Sequence, residues 1–181
     1  TFIASARRSY LQLLFKLIDL PIRPNYWDFQ FKTTTRIDDK TTLSFLGIGS
    51  IDEFSFAEPR EASPEKLYVI NSSPLINQWS YTVGATLRRI TKNGFWTASL
   101  SRNTLDNQAD KFEDNKTKVE SERTLLIKSR ETENKLRLDN THNIGGYKLT
   151  YGLSAQLVQF DNKFFQRFRP VLTDGQGNVI Q

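Results

Sequence analysis

The chain has 181 residues, enough for one ordinary domain, with a net charge of +5 and a pI near 9.5. It has no cysteine, which excludes disulfides, thiolate metal sites and cysteine nucleophiles; a mean hydropathy of -0.51 excludes a helical membrane protein. Lys and Arg are interleaved with Asp and Glu, with no basic helix, RNP-like aromatic motif or zinc finger, so nucleic acid is not an expected partner.

The chain opens on Thr1 rather than Met and carries no signal-peptide pattern, so a processed or trimmed N-terminus is expected, with any export signal upstream. Phe2 to Tyr10 reads as a noisy strand. Leu11 to Leu20 follows as an amphipathic patch, with Leu11, Leu14, Phe15 and Ile18 at helical spacing, read as a short helix over a rim or a partner-docking helix. Interrupted by Lys16, Asp19 and Pro21, the stretch is too short to span about 30 Å of hydrocarbon as a helix.

From Asn25 the pattern becomes strict period-two alternation, the mark of a strand with two unlike faces. Trp27, Phe29, Phe31, Thr33, Thr35 and Ile37 face one way; Tyr26, Asp28, Gln30, Lys32, Thr34 and Arg36 face the other. Asp38 to Lys40 makes a tight turn into a strand over Thr41 to Ile51. A long loop, about Asp52 to Gln78, contains Pro59, Pro64 and Pro74. Alternation resumes with Trp79, Tyr81, Val83, Ala85 and Leu87 opposed to Ser80, Thr82, Gly84, Thr86 and Arg88. Thr91 to Gly94 is a tight turn with Asn93-Gly94, followed by a strand over Phe95 to Asn103.

A long charged loop is expected over about Thr104 to Arg123. Asp114 to Asp139 suits either a solvated helix or a strand that descends through Leu136 and Leu138; the strand, over roughly Leu125 to Thr141, is the preferred reading. Asn143 to Gly146 is a tight turn with Gly145-Gly146. The last strand is the clearest: Tyr147, Leu149, Tyr151, Leu153, Ala155 and Leu157 face away from Lys148, Thr150, Gly152, Ser154 and Gln156. Its apolar face runs for about 11 residues, and a tilted membrane strand needs about 9–11. Asp161 to Gln181 would be a further external loop, with Asp174, Gly175 and Gly177 as turn residues.

The connections therefore alternate long and short, the rhythm of outer-membrane barrels. Tyr10, Tyr26, Trp27, Trp79 and Tyr81 fall at long-loop ends, and Phe95, Trp96 and Tyr147 at short-turn ends, as two interfacial girdles require; aromatic packing in a soluble β core is the competing reading. The expected fold is all-β: an antiparallel up-and-down transmembrane β-barrel, of which residues 1–181 supply about seven strands of a single domain. Seven strands leave two open edges, so the remaining strands are expected outside this stretch or on other chains. Arg7, Asp28, Gln30, Lys32, Arg36, Arg88, Lys148 and Gln156 are the candidates for an inward, lumen-facing surface. Trp27, Phe29, Phe31, Trp79, Tyr81, Trp96, Tyr147, Leu149, Tyr151 and Leu153 are the candidates for a lipid-facing surface and its girdles.

The stretch "SARRSYLQLLFKL" followed by "LPIRPNYWDFQFK" resembles a recurring segment of TonB-dependent receptors of the Bacteroidota type, and "TLSFLGIGSIDEF" and "GYKLTYGLSAQLVQFDN" fit the same barrel. The resemblance covers most of the chain and is most specific in its first 50 residues. It implies a 22-stranded barrel around an N-terminal plug, an outer-membrane location, import of a large or scarce nutrient, and energy supplied by TonB through a region outside this chain. Outer-membrane lipid is then a partner, with room for a surface lipoprotein or other complex subunits. The plug and the TonB-contacting segment are not in this sequence, and the substrate-binding residues are unknown.

No enzyme, cofactor or metal is expected. His142, the only histidine, lies at an expected short turn with no Gly-x-Ser-x-Gly elbow; the catalytic reading would need a barrel-phospholipase Ser-His pair. Asp110, Glu113 and Asp114 lack the spacing of a calcium loop. The alternative functions are a non-transport outer-membrane barrel serving as scaffold or secretion-complex partner, and a soluble all-β binding module such as an adhesin.

Overall fold

A computed structural model describes residues 1–57, 61, 63–115 and 118–168, with the backbone of 172–173 and 179–180. Seven strands form one antiparallel sheet in strict chain order: β1 (Phe2–Arg8), β2 (Ile22–Arg36), β3 (Thr41–Phe56), β4 (Leu75–Thr91), β5 (Gly94–Phe112), β6 (Arg123–Ile144) and β7 (Tyr147–Gln166). The sheet is up-and-down and not closed: β1 and β7 are its two edges. A separate pairing joins β8 (Leu172–Thr173) to β9 (Val179–Ile180). Asp174, Gly175 and Gly177, the turn residues expected between them, lie outside the described residues.

One end of the sheet is closed by short connections whose chemistry fixes the register. At 145–146 both glycines have positive φ, +52° and +87°, which gives the hairpin the twist its strands need. Asp38 Oδ1 accepts the Lys40 N–H at 2.8 Å in the 37–40 turn. That bond, the Thr41 hydroxyl and nearby Arg89 hold the Asp38 carboxyl below its ordinary range.

The third turn works differently from the sequence expectation. Only residues 92–93 connect β4 to β5, and Asn93 does not adopt positive φ. Gly94 is needed for a different reason. A Cβ there would sit 1.9 Å from the Thr141 carbonyl oxygen, so its bare backbone lets β6 approach β5 at Gly94↔His142.

The strands outrun their expected ends at the opposite side. β3 continues to Phe56, β5 to Phe112 and β7 to Gln166, because neighbours pair there regardless of apolar content. The charged stretch after Asp114 is strand from Arg123 onward, as preferred over a helix. His142 lies within β6 rather than in a turn. The Leu11–Leu17 segment is helical (α1), and a second helix, α2 (Pro64–Ser72), sits where only loop was expected. Ser63 caps α2 by accepting the Lys66 N–H, with Pro64 in its first turn.

Replacing Gly94 by Ala should destabilise the folded sheet by about 1–3 kcal/mol, because backbone has to move to admit the methyl group. Gly145→Asn, which keeps a residue tolerant of positive φ, should stay within about 0.5 kcal/mol of the parent. Denaturant midpoints of the two variants, compared with the parent, check this ordering.

Candidate functional site

Directly opposed residues of an antiparallel pair point to the same side, so an unbroken register sorts every side chain onto one of two faces. The register is continuous through all seven strands except for one irregularity at Lys111/Phe112. Arg7, Asp28, Gln30, Lys32, Arg36, Arg88, Lys148 and Gln156 all fall on one face. Trp27, Phe29, Phe31, Trp79, Tyr81, Trp96, Tyr147, Leu149, Tyr151 and Leu153 all fall on the other. Tyr26 and Phe95 do not join that aromatic set: the alternation turns both to the polar face, where Arg88 stacks over the Phe95 ring at 4.3 Å.

The apolar face is a belt one side chain deep. Trp27 stacks on Phe29 and Trp79 on Tyr81, with centroids 6.1 and 6.0 Å apart, and the Phe31 ring lies across Gly47. Nothing among the described residues covers the belt. Leu100, on a central strand, is 60% exposed, and Leu153 is 69% exposed. Only Ile70, Phe112 and Leu126 are buried hydrophobics among the described residues, and none of them is in the belt. A water-soluble protein of 20.9 kDa exposes about 9,000 Å². This chain exposes 13002 Å².

The belt's long-loop edge is lower on β5, β6 and β7 than on β2, β3 and β4. On β2, β3 and β4 it begins at the row Trp27–Ile51–Trp79. The same row continues as Asp106, Arg130 and Asp161 on β5, β6 and β7, where the apolar residues start lower, at Leu100, Leu136 and Leu157. Leu157 stands on the row of Phe31, two same-face positions below Trp27. At the short-turn end β7 carries the belt on through Leu149 to Tyr147, past the last row that reaches β3.

The polar face carries a lattice of side-chain hydrogen bonds, with Leu46 and Ile48 standing among them, 42% and 50% exposed. Arg7 Nε bonds Asp28 Oδ1 at 2.8 Å, Thr34 bonds Ser44 at 3.0 Å, Ser50 bonds Ser80 at 2.9 Å, Thr82 bonds Asn103 at 2.8 Å and Thr86 bonds Ser99 at 3.0 Å. Lys135 pairs with Glu133 and Arg137 with Asp139. Toward the long loops this face turns apolar in one row, Pro24–Phe54–Ile76–Ala109–Ile127–Phe164, one residue from each of six strands. The signal was present in the sequence as an apolar phase shift at Phe54 and Phe56, but only the register aligns it across strands.

The long connections are tied together. Lys66 of α2 forms an ion pair with Asp19 of the first connection. Asn115, 4% exposed, donates to the carbonyls of Ile70 (2.6 Å) and Ser73 (2.9 Å) and accepts the Phe112 N–H at 3.0 Å. One buried amide thus joins the second and third long connections beside Ile70 and Phe112. Of the carboxylates weighed as a calcium site, Asp110 meets Arg123 at 3.2 Å and Glu113 meets Arg167 at 3.3 Å. His142 is half-buried on the apolar face, opposite Leu149.

Comparison with family models, curated proteins and solved structures gave no match.

Asn115→Ala would strand two carbonyls and one N–H, each costing about 1–3 kcal/mol when buried and unpaired. Limited proteolysis should then cut faster within 57–74 and 113–122 while the strands stay protected; unchanged cleavage there would show that the amide does not hold the connections together.

Proposed function

We propose that this chain is part of a transmembrane β-barrel of a bacterial outer membrane, contributing seven strands to the barrel of a TonB-dependent receptor that imports a large or scarce nutrient. The observation that carries the membrane part is the bare apolar belt backed by a hydrogen-bonded polar face. In water, each large apolar side chain left uncovered forgoes about 1.5–3 kcal/mol of burial. Against acyl chains the same belt needs no second layer, and its polar back faces a water-filled or plugged interior.

The lower start of the belt on β5, β6 and β7 is of a size that fits the same reading. Barrel strands lean about 35–45° from the axis and stand about 4.8 Å apart. A horizontal slab therefore slips about 4 Å, a little over one residue, at each step from strand to strand. Over the five steps from β2 to β7 this amounts to roughly six residues. The four-residue drop from Trp27 to the row of Phe31, and the longer one at the Tyr147 end, are of that size.

The receptor part rests on the resemblance carried by the Arg7-Arg8-Ser9-Tyr10 and Tyr26-Trp27-Asp28-Phe29 segments. It fits a layout in which short turns occupy the periplasmic end and the tied long connections lie outside. In this arrangement the lattice around Asp28, Ser50, Ser80 and Asn103 lines the lumen, and the energy for import comes from TonB through a region outside this chain.

Two substitutions on neighbouring residues test the membrane reading in the full-length protein. Leu153→Arg should weaken insertion by about 2–4 kcal/mol, whereas Ser154→Arg, facing the interior, should cost less than about 1 kcal/mol. Equal effects, or a full-length protein that stays in the aqueous phase without detergent, would favour a soluble module. The receptor reading predicts cargo accumulation that stops when TonB is removed; a barrel that inserts but shows no TonB-dependent uptake would be a scaffold instead.

A further inference from the structure

Resting on the receptor reading, we propose that the imported cargo is polyanionic, an oligomer bearing several carboxylate or sulfate groups, and that Lys32, Arg36, Arg88 and Lys148 line its inward path. All four are exposed and lie on the polar face, between the row of Lys32 and the short turns.

The charges in this zone do not balance. Its strand residues on the polar face include six cations, the four above with Lys135 and Arg137, against one carboxylate, Asp139. Asp139 is taken by Arg137 at 2.7 Å, and Lys135 takes Glu133 from the next row at 2.8 Å. The other four have no carboxylate partner among the described residues. Arg88 sits over the Phe95 ring at 4.3 Å, which leaves its charge uncompensated. Arg36 and Arg88 share one row with Thr42 between them, so their strands stand about 9.5 Å apart. Like charges facing one space repel, and a cargo with successive anionic groups relieves that repulsion. Each guanidinium presents a fork of N–H donors that suits a carboxylate or a sulfate.

Placement separates these cations from ordinary solvated charge, in which the two signs are mixed. Nearer the long loops, Asp52 and Glu131 stand on the same face, both negative and both without a cation partner among the described residues. The uncompensated charge of the wall therefore changes sign from the long-loop end to the short-turn end. The energy of an anion falls along that direction and the energy of a cation rises, whereas a neutral cargo is indifferent to it. Between the two zones the wall is lined by hydroxyl and amide groups bonded to one another, Ser50 to Ser80 and Thr82 to Asn103, which add no charge of their own.

The test places Thr42→Cys, between the two arginines, in the full-length protein otherwise free of cysteine, held in nanodiscs that leave both ends of the barrel open to reagents. A unit charge about 7 Å away in water changes the local concentration of a monovalent ion about threefold. Relative to a free thiol, a sulfonate-bearing methanethiosulfonate should therefore modify the new thiol about tenfold faster than its trimethylammonium analogue. Arg36→Gln with Arg88→Gln should bring the two rates within about twofold, and Lys128→Gln, on the opposite face, should leave their ratio unchanged. Hexagalacturonate should protect the thiol where maltohexaose and inorganic sulfate at equal concentration do not, and the two arginine substitutions should abolish that protection. Equal rates in the parent, or protection by maltohexaose or sulfate as strong as by hexagalacturonate, would overturn the proposal. A thiol that neither reagent reaches would overturn it too, because the cations would then face another part of the receptor rather than cargo. Failure of the full-length protein to enter nanodiscs would instead remove the membrane reading, and insertion without TonB-dependent uptake would remove the receptor reading.

Discussion

The pleat of the β-strand governs this molecule. Because successive side chains point to opposite sides, a sheet one layer thick separates two chemistries only if every strand stays in phase with its neighbours, and a slip of one residue would exchange the faces. Three short connections hold that phase. The Gly145-Gly146 turn sets β6 against β7, Asp38 closes the turn between β2 and β3, and Gly94 lets β5 lie close to β6. From those anchors the pairing runs unbroken to the far end, with its irregularity at Lys111/Phe112 falling beyond the belt. Trp27, Ile51 and Trp79 form a common edge because of this, and so do the paired hydroxyls of Thr34, Ser44, Thr86 and Ser99 behind them.

The two ends of the sheet are built on different principles. At the short-turn end, order comes from backbone geometry over a few residues. At the long-loop end it comes from tertiary contacts: Asn115 saturating groups on both sides, near the buried Ile70 and Phe112, and Lys66 reaching Asp19. Ordered connections on a rigid support are where recognition residues are usually carried. In the proposed receptor, the apolar row from Pro24 to Phe164 lies just inside this tied rim, between the long connections and the hydroxyl-lined wall.

How much of this could be read from sequence depended on where contrast survives. β7 was legible from Tyr147 to Leu157 because Leu and Tyr alternate there with Lys, Thr and Gln. Beyond Leu157 the contrast is lost: Gln159, Asp161 and Lys163 face the same side as Leu157, and Phe160 and Phe164 the other, so the strand continues through pairing with β6 rather than through any local pattern. The same holds for β6, where Arg130 and Glu131 are both charged but face opposite ways. Residue by residue the two candidate faces were legible, since alternation fixes facing once a strand is recognised. What each connection does was not. The cap of α2 was written in Ser63-Pro64-Glu65, yet a helix of nine residues inside a proline-bearing loop gives no periodic run long enough to detect. Asn115 is one polar residue among many, and nothing local marks it as buried.

The edges carry the remaining physical consequence. In water, the outward N–H and C=O groups of β1 and β7 are satisfied by solvent, and a seven-stranded sheet can end there at little cost. In hydrocarbon each unpaired group costs several kcal/mol, and β7 alone extends over 20 residues. The environment proposed for the belt therefore fixes what lies beside the edges: further strands, in register, on both sides. The belt, made of side chains, motivates that environment, and the edges, made of backbone, set what it requires. A setting that satisfied the belt while leaving the edges bare would be less stable than either an aqueous sheet or a closed barrel.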